Sequence, residues 1–457
     1  MPRDIRGGPM RKAYVRVNHN SRAAMNHAST AAYVLLALAL CGCSARPAPQ
    51  LVPADTSSAG GFVAEDGSRL TLFEAPLGLA FLHYPSGRLG VLHQLDQDHH
   101  GAGPGAMGRN PIEVEVLLSR APNGAIQGAR YRAGSGDQWF ERLPPFRRVN
   151  TTISHGQVAL AASATLPAGD GPFPVVVMNH GGGPGVRSDL QIWADYFAGL
   201  GVAAVTYDKR GSGETTGPAW DTFEDLAADA AAATSWAKGE AWAKSGCVGT
   251  WAYSQSGWVV PLAIQREGVA FVIAVSIPVI SPAQRAVASV RPRLVADGLS
   301  QRDADEARDF IELVNQFGRG MVSWSDYNRA LEAARNSAWF DRVEKPTTED
   351  APSSPFYTTQ YGRYLDPLPY WADLDMPLLA IYGGLDTTVP SNSNAPLLMN
   401  AVAGRRASIV AVLADANHQM LRAVTGGDAE LIDLNTYAHG YFALIEGFVA
   451  RHVVAHC

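Results

Sequence analysis

The 457-residue sequence has few cysteines, a modest share of charge and no long apolar run. Apart from the two cysteines near the N-terminus, the chain has only Cys247 and Cys457. These two lie far apart, so they offer no metal-ligand spacing. Charged residues make up 18%, the formal charge is −6 and no basic stripe is present, which argues against a nucleic-acid partner. Without an apolar run of about 18 residues we expect no membrane-spanning segment in the mature protein. What is abundant is hydrophobic residues, at 47%, enough for a sizeable core in two or three domains or one domain with insertions.

The first 45 residues differ from the rest. Basic residues precede an apolar run, Ala31 to Leu40, that is too short to span a bilayer and suits the core of a signal peptide. The run ends in Leu40-Cys41-Gly42-Cys43, which resembles the lipobox of bacterial lipoproteins. We therefore expect residues 1–42 to be a lipoprotein signal peptide and Cys43 to carry a lipid. The protein would then be exported to the cell envelope and touch a membrane only through that anchor. An ordinary cleaved signal is the alternative.

Two segments of different character follow. Residues 43–61 are rich in Pro, Ala and Ser and suggest a tether, whereas residues 62–148 contain short β-type runs separated by turn residues. This spacing, without a helical pattern, predicts a small β-rich N-terminal domain. The doublet His99-His100 lies beside a glycine-rich stretch, but no carboxylate or third ligand is spaced with it. We therefore expect no metal.

From residue 149 to 457, strand patterns alternate with helical ones. Continuous apolar runs such as Val175 to Met178 are typical of parallel strands that are covered on both faces. The alternation predicts the fold class α/β with a doubly wound, mostly parallel sheet. The predicted strands are Val175–Met178, Val202–Tyr207, Cys247–Tyr253, Phe271–Val275, Leu378–Tyr382 and Ser408–Leu413, and the predicted helices are Leu190–Leu200, Phe223–Trp242, Trp258–Gln265 and Tyr437–His452.

Residues 281–370 interrupt this alternation with two helical patterns, Asp303 to Phe317 and Ser325 to Trp339, and a loop rich in Pro and Tyr. We expect a helical cap insertion over the carboxyl edge of the sheet, where open α/β folds bind ligands. The aromatic residues of the cap either line an apolar acyl site or pack in its own core. They are Trp324, Trp339, Phe356, Tyr357 and Tyr361.

The central motif runs from Thr250 to Trp258, between a predicted strand and a predicted helix. An acyl-transfer serine needs a sharp strand-to-helix turn that exposes its hydroxyl, with small residues two positions before and after it. Ala252 and Ser256 are small and flank Ser254, which is therefore the candidate nucleophile. Choosing Ser256 instead would put Trp258 at a position that requires a small residue.

A glycine-rich segment, Asn179 to Gly185, follows the strand that ends at Met178. Glycines there allow backbone N–H groups to face the oxyanion of a tetrahedral intermediate. The expected donors are the N–H groups of Gly182 and of Gln255, the residue after the nucleophile. A phosphate-binding loop is the competing interpretation, but no Lys-Ser/Thr pair follows the glycines.

The remaining members of the candidate site also follow strands. Asp386 comes shortly after the strand Leu378–Tyr382, where it can orient a histidine, and His418 follows the last strand. The order Ser, Asp, His, each at a strand end, favours a catalytic triad. Asp375 lies at the wrong end of its strand, and Asp415 is too close in sequence to the histidine.

The segment Tyr207 to Gly213 closes the strand after the glycine loop. Here a structural role is favoured, with Asp208 and Arg210 holding the loop beside the oxyanion turn.

Taken together, these motifs resemble those of EstD-like bacterial esterases, α/β-hydrolases related to dienelactone hydrolases and prolyl oligopeptidases. The family patterns include Tyr-Asp-Lys-Arg-Gly, Gly-x-x-Asp-x-x-Val-Pro and Asn-His, and the matches here run from Asn179 to His418. This chain departs from the family with Ala252, Ser256 and Gly182. The resemblance implies hydrolysis of a small-molecule carboxylic ester without cofactor or metal.

Two other functions remain open at this point. A serine peptidase or aminopeptidase of the prolyl oligopeptidase type would use the same triad, and a non-catalytic exported binding lipoprotein would use none. The oligomeric state is not determined by the sequence. A further hypothesis pairs Cys247 with Cys457, because the terminal helix should run back to the edge of the sheet where the nucleophile strand begins.

Overall fold

Two β-sheets organise the chain. The computed structural model describes residues 58–75, 77–349, 353–405 and 407–456. The proposed signal peptide, the lipidated Cys43 and nearly all of the tether lie outside the described residues, as does Cys457. Cys247 is disulfide-bonded, and its pairing with Cys457 stays a prediction. No helix within the described ranges is long and apolar enough to cross a membrane.

The N-terminal sheet is antiparallel, with its nine strands in the order β4-β3-β2-β1-β9-β8-β7-β6-β5. Its two end strands, β4 and β5, are joined only by Leu92, so the sheet curls until its edges approach each other. One core fills the inside, built from alternate residues of the strands such as Leu70, Leu72 and Phe81. The strands are β1 (Gly60–Val63), β2 (Arg69–Ala75), β3 (Gly78–His83), β4 (Arg88–Val91), β5 (His93–Asp96), β6 (His99–Ala102), β7 (Val114–Arg120), β8 (Ile126–Ala133) and β9 (Gly136–Arg142).

The second sheet has eight strands in the order β10-β11-β13-β12-β14-β15-β16-β17. The pairs β10/β11 and β11/β13 are antiparallel, and all others are parallel. The parallel strands therefore bring their carboxyl ends to one edge. The strands are β10 (Arg147–His155), β11 (Val158–Leu166), β12 (Phe173–Met178), β13 (Ala203–Tyr207), β14 (Ala243–Tyr253), β15 (Val272–Val275), β16 (Leu378–Gly383) and β17 (Ser408–Leu413).

Helices cover both faces of this sheet. Alternate residues of a strand enter different cores: Val176 and Met178 pack with helix α1 and the C-terminal helix α10, whereas Val175 and Val177 pack with α2. This two-sided burial explains why the strands are continuously apolar. The helices are α1 (Gln191–Gly199), α2 (Phe223–Gly239), α3 (Ser256–Arg266), α4 (Pro282–Ala296), α5 (Gln301–Gly318), α6 (Trp324–Ala334), α7 (Pro355–Thr358), α8 (Leu368–Ala372), α9 (Ser391–Ala401) and α10 (Tyr441–Phe448).

Helices α4 to α8 lie between β15 and β16, in the segment expected to be a cap. Three serines begin its long helices, and each accepts a hydrogen bond from a backbone N–H in the first turn: Ser281 from Gln284 at 3.2 Å, Ser300 from Asp303 at 3.1 Å and Ser323 from Asp326 at 3.1 Å. Helices α4, α5 and α6 enclose their own core.

Several helix ends differ from the sequence predictions, three of them as follows. The helix from Phe223 ends at Gly239 rather than Trp242, since its next residue, Glu240, has extended backbone. The helix expected over Ser325–Trp339 ends at Ala334. The C-terminal helix begins at Tyr441, not Tyr437, because Gly440 has φ +86° and residues 436 and 437 pair with the N-terminal sheet.

The N-terminal sheet packs against helices α1 and α10, which cover one face of the second sheet. Arg69 forms an ion pair with Glu446 at 2.9 Å, and the ring of Tyr84 stacks on that of Tyr196 with centroids 5.0 Å apart. Leu82 and Leu89 belong to the same apolar core as α1 and α10. The two sheets are therefore joined by a continuous buried interface rather than by a linker alone.

Candidate active site

Ser254 stands at the turn between β14 and α3, with φ +51°. Non-glycine residues rarely adopt this left-handed conformation, and it recurs where a structure holds a functional side chain in place. The backbone N–H of Ser254 donates to Val275 O at 3.1 Å. Ala252 and Ser256 are wholly buried on either side, and the Ser256 hydroxyl lies 2.8 Å from His180 O. Ser256 is therefore engaged inside the turn and faces no substrate.

The structure brings Ser254, His418 and Asp386 into one chain of hydrogen bonds. His418 Nε2 lies 3.0 Å from Ser254 Oγ, and His418 Nδ1 lies 2.8 Å from Asp386 Oδ2. The other Asp386 oxygen, Oδ1, accepts the N–H groups of Thr388 at 2.9 Å and Val389 at 2.7 Å. All three side chains are buried, so Asp386 is held rigidly and orients the ring of His418.

The loop that carries His418 is held by two residues to which the sequence patterns assigned no role. Ser276, which follows β15 and has φ +51°, donates its hydroxyl to His418 O at 2.9 Å. Asn417 Oδ1 accepts the N–H groups of Gln419 and Leu421, each at 3.0 Å. A polar residue directly after an apolar strand was the available signal for Ser276, since it places the side chain at the active edge.

Gly182 and Gln255, the expected oxyanion donors, line the same cavity as Ser254. Gly183 has φ +76°, a conformation that favours glycine. Asn179 anchors the loop to β14, because its Nδ2 donates to Thr250 Oγ1 at 2.8 Å and to Trp251 O at 2.9 Å. The N–H groups in the first turn of a helix have no acceptor inside that helix, and Gln255 directly precedes α3.

Lys209 is buried directly behind this loop. Its Nζ donates to Gly181 O at 2.9 Å, to Gly183 O at 2.9 Å and to Gln255 Oε1 at 2.6 Å. Burial lowers the pKa of Lys209 to about 7. Sequence reasoning assigned this segment a structural role through its neighbours and gave Lys209 none, yet its ammonium joins the two segments that carry the expected oxyanion donors.

The neighbours of Lys209 fix the surrounding backbone. Asp208 accepts the N–H of Arg187 at 2.7 Å and the Arg187 guanidinium at 2.6 Å, which ties the end of the glycine loop to β13. Arg210 donates to both oxygens of Asp229 on α2, at 2.8 and 2.6 Å.

A cavity of about 440 Å³ opens onto Ser254. Of the five aromatic residues expected there from the cap, only Phe356 contributes to its lining; Trp324 and Trp339 pack in the core of the cap instead. Its other aromatic residues come from outside the cap: Trp220, Phe223 and Trp258. Of the two alternatives for the cap aromatics, a place in the cavity lining holds for Phe356, and packing in the core of the cap holds for Trp324 and Trp339. Within the described ranges no three His, Cys, Asp or Glu residues are grouped to hold a metal.

The strand order, the helices on both faces and the strained turn at Ser254 define an α/β-hydrolase of the serine hydrolase class. The model of the S15 family of X-Pro dipeptidyl-peptidases matches residues 155–393, and the chain belongs to this family.

Individual relatives are distant. Esterase EstD of Thermotoga maritima is 24% identical over 68% of this chain and 69% of its own length. Among solved structures, an esterase of Pyrococcus furiosus has a TM-score of 0.41 at 15% identity, covering 67% of this chain and 92% of its own. The acylaminoacyl peptidase of Pyrococcus horikoshii has a TM-score of 0.41 at 13% identity, covering 85% of this chain and 55% of its own.

Proposed function

We propose that this protein hydrolyses carboxylic esters through an acyl-enzyme formed on Ser254. The observation that carries the proposal is the continuous contact from Ser254 Oγ through His418 to Asp386, at 3.0 and 2.8 Å. A nucleophile, a base and an orienting acid in this arrangement recur on unrelated folds that perform acyl transfer.

In the proposed mechanism, His418 Nε2 accepts the proton of Ser254 as the hydroxyl oxygen attacks the ester carbonyl. The Nδ1–H group of His418 donates to Asp386, which stabilises the imidazolium that forms. His418 then gives the proton to the departing alcohol. Water activated by the same histidine hydrolyses the acyl-enzyme, releasing the acid and restoring Ser254.

The N–H groups of Gly182 and Gln255 are the proposed donors to the oxyanion. Lys209 is proposed as a positioning residue for both. The C=O of Gly181 and the N–H of Gly182 belong to one trans peptide and point in opposite directions. Because Lys209 binds that carbonyl at 2.9 Å, the N–H on the other side points away from Lys209 and becomes a better donor. Lys209 also holds the side chain of Gln255 at 2.6 Å.

A peptidase is the second candidate, and membership of a dipeptidyl-peptidase family favours it. The relationship to an esterase favours ester hydrolysis, as does the aromatic side of the cavity, which suits an apolar acyl group. An esterase and a peptidase differ in their activity on amides. Only the peptidase should cleave an amide whose acyl group is the same as that of a good ester substrate. We therefore expect clear turnover of short-chain p-nitrophenyl esters and little turnover of the matching p-nitroanilides; the reverse would select the peptidase.

The direct test of the site is Ser254→Ala, which removes one oxygen. Loss of the nucleophile costs about a million-fold in turnover in subtilisin, so ester hydrolysis should fall to background and labelling by a fluorophosphonate probe should vanish. The matched variant Ser256→Ala should still be labelled, because the Ser256 hydroxyl is enclosed in the turn. Full activity of folded Ser254→Ala would refute the mechanism. A wild-type protein that neither binds the probe nor cleaves esters would favour the non-catalytic binding protein.

A further inference from the structure

The cavity at Ser254 has two chemically different sides. One side is aromatic, with Trp220, Phe223 and Phe356 beside the exposed carboxylate of Asp221, whereas the other carries Arg285, Glu344 and Arg363. Neutral ester groups need no charged wall, and charged side chains removed from water lose favourable hydration unless they are paired. The charged side therefore has to be accounted for residue by residue.

Arg363 has a structural role. Its Nε and Nη2 donate to Asn315 Oδ1 at 3.0 and 2.7 Å. Its backbone carbonyl accepts the N–H of Ala283 at 3.0 Å. These contacts tie the loop before α8 to helices α4 and α5, so the guanidinium of Arg363 helps to hold the cap together.

Arg285 is different. It lies on the first turns of α4, partly buried, and among the described residues its guanidinium makes neither a hydrogen bond nor an ion pair. The pKa of Arg285 lies below its ordinary value, because burial and the charges of Arg293 and Arg363 lower it more than Glu344 and Asp386 raise it. The guanidinium is thus partly dehydrated. It lies in the wall of the cavity that opens onto Ser254, and it interacts with the charge of Asp386.

A guanidinium in this position matches a carboxylate, whose two oxygens can accept its parallel N–H groups. Glu344 is exposed on the same side of the cavity, and its charge would oppose a dianion such as phosphate more strongly than a single carboxylate. We infer that the ester hydrolysed at Ser254 carries a carboxylate group and that Arg285 binds it. This inference rests on the proposed function and adds the substrate class to it.

The test compares each anionic ester with a neutral ester of the same shape. Mono-p-nitrophenyl adipate against p-nitrophenyl hexanoate places the carboxylate on the acyl side, and 4-acetoxybenzoate against its methyl ester places it on the alcohol side. With the wild-type protein, we expect kcat/KM for one anionic ester to exceed that of its neutral partner about tenfold or more, the effect of one charge-assisted hydrogen bond. In Arg285→Met the ratio should fall to about one.

Two further variants make the result specific. Arg291→Met removes an exposed arginine of the same helix, which pairs with Asp305 at 2.9 Å, and should keep the wild-type ratio. Arg285→Lys retains the charge without the forked geometry and should keep only a few-fold preference for the anionic ester. If Arg285→Met does not fold, this reduced preference still tests whether Arg285 binds the carboxylate. A wild-type protein without preference for either anionic ester, or a preference that survives in Arg285→Met, would overturn the inference. Failure of the proposed function looks different, since no ester of either kind would then be cleaved through Ser254.

Discussion

Replacing Lys209 with methionine tests how strongly the proposed catalysis depends on an ammonium group that lies behind the glycine loop and outside the cavity lining. Methionine keeps an unbranched apolar stem of similar length but removes the ammonium. Gly181 O, Gly183 O and Gln255 Oε1 then lose a donor that lies 2.9, 2.9 and 2.6 Å away. The candidate triad should be unchanged, because the described hydrogen bonds of Lys209 do not reach its three side chains.

The expected magnitude follows from the distance between Lys209 and the oxyanion. One peptide unit and two hydrogen bonds, one at each end of it, separate them, which places the oxyanion about 7–8 Å from Nζ. Opposite unit charges at that distance attract by ~2 kcal/mol at an effective dielectric constant of about 20. Since 1.4 kcal/mol corresponds to about a tenfold rate change, kcat should fall roughly 30-fold. The KM should change little, because the oxyanion exists only in the transition state and intermediate.

The assay is steady-state kinetics on p-nitrophenyl butyrate at pH 6, below the pKa of Lys209 of about 7, so that the lysine is mostly charged. Thermal unfolding establishes that the variant is folded. The control is Lys238→Met, the same chemical change at a lysine of α2. Lys238 pairs with Glu267, in the loop before β15, at 2.5 Å, and it is not part of the cavity lining. It should keep wild-type kcat. If folded Lys209→Met keeps kcat within about twofold, or loses activity only through KM, Lys209 does not support the oxyanion donors.

Two other predictions concern stability. The pKa of Lys209 is about 7 in the folded protein and near 10.4 in an unfolded chain, so between these values the unfolded state binds more protons and stability rises with pH. The Tm of the wild type minus that of Lys209→Met should therefore increase from pH 7 to pH 10 in scanning calorimetry; a constant difference would contradict the assigned burial of a titrating lysine. A chain starting at Pro145 lacks the N-terminal sheet and exposes the core that Leu82, Tyr84 and Leu89 cover. We expect it to be aggregated or unlabelled by a fluorophosphonate, and a soluble monomer with wild-type activity would show that the sheet is dispensable.

Much of the second sheet could be predicted because its signal is local. The bounds of β17 match the prediction, and β12 to β16 were each recognised from continuous apolar runs. Strands β10 and β11 were not assigned individually. Residues along β10 are mostly exposed or half-buried, and β11 is rich in alanine, so neither shows the continuous run of large apolar residues that marks the central strands. They are fixed by pairing with each other and with β13, which no local pattern reveals.

The candidate site divides in the same way. Ser254, Asp386 and His418 could be proposed because each follows a strand, and parallel strands bring their carboxyl ends to one edge. Lys209, Ser276 and the aromatic side of the cavity could not. Their roles depend on where a side chain ends after the chain has folded: Lys209 bonds residues 26 to 46 positions away, and Ser276 bonds one 142 positions away. The order of strands along the chain predicts which residues reach the carboxyl edge of the sheet. It does not predict which groups the buried ammonium of Lys209 will contact.

The N-terminal sheet is tied to the candidate active site through the loop after His418. Tyr437 donates its N–H to Gly87 O at 2.9 Å, and Leu89 donates its N–H to Asn435 O at 2.8 Å. The same strip of chain pairs back to Leu421, three residues beyond the histidine. Because the apolar contacts of α10 and the hydrogen bonds of residues 435–437 both terminate in the N-terminal sheet, removing it would release the segment that closes the His418 loop. The sheet is therefore part of the scaffold that holds His418 beside Ser254.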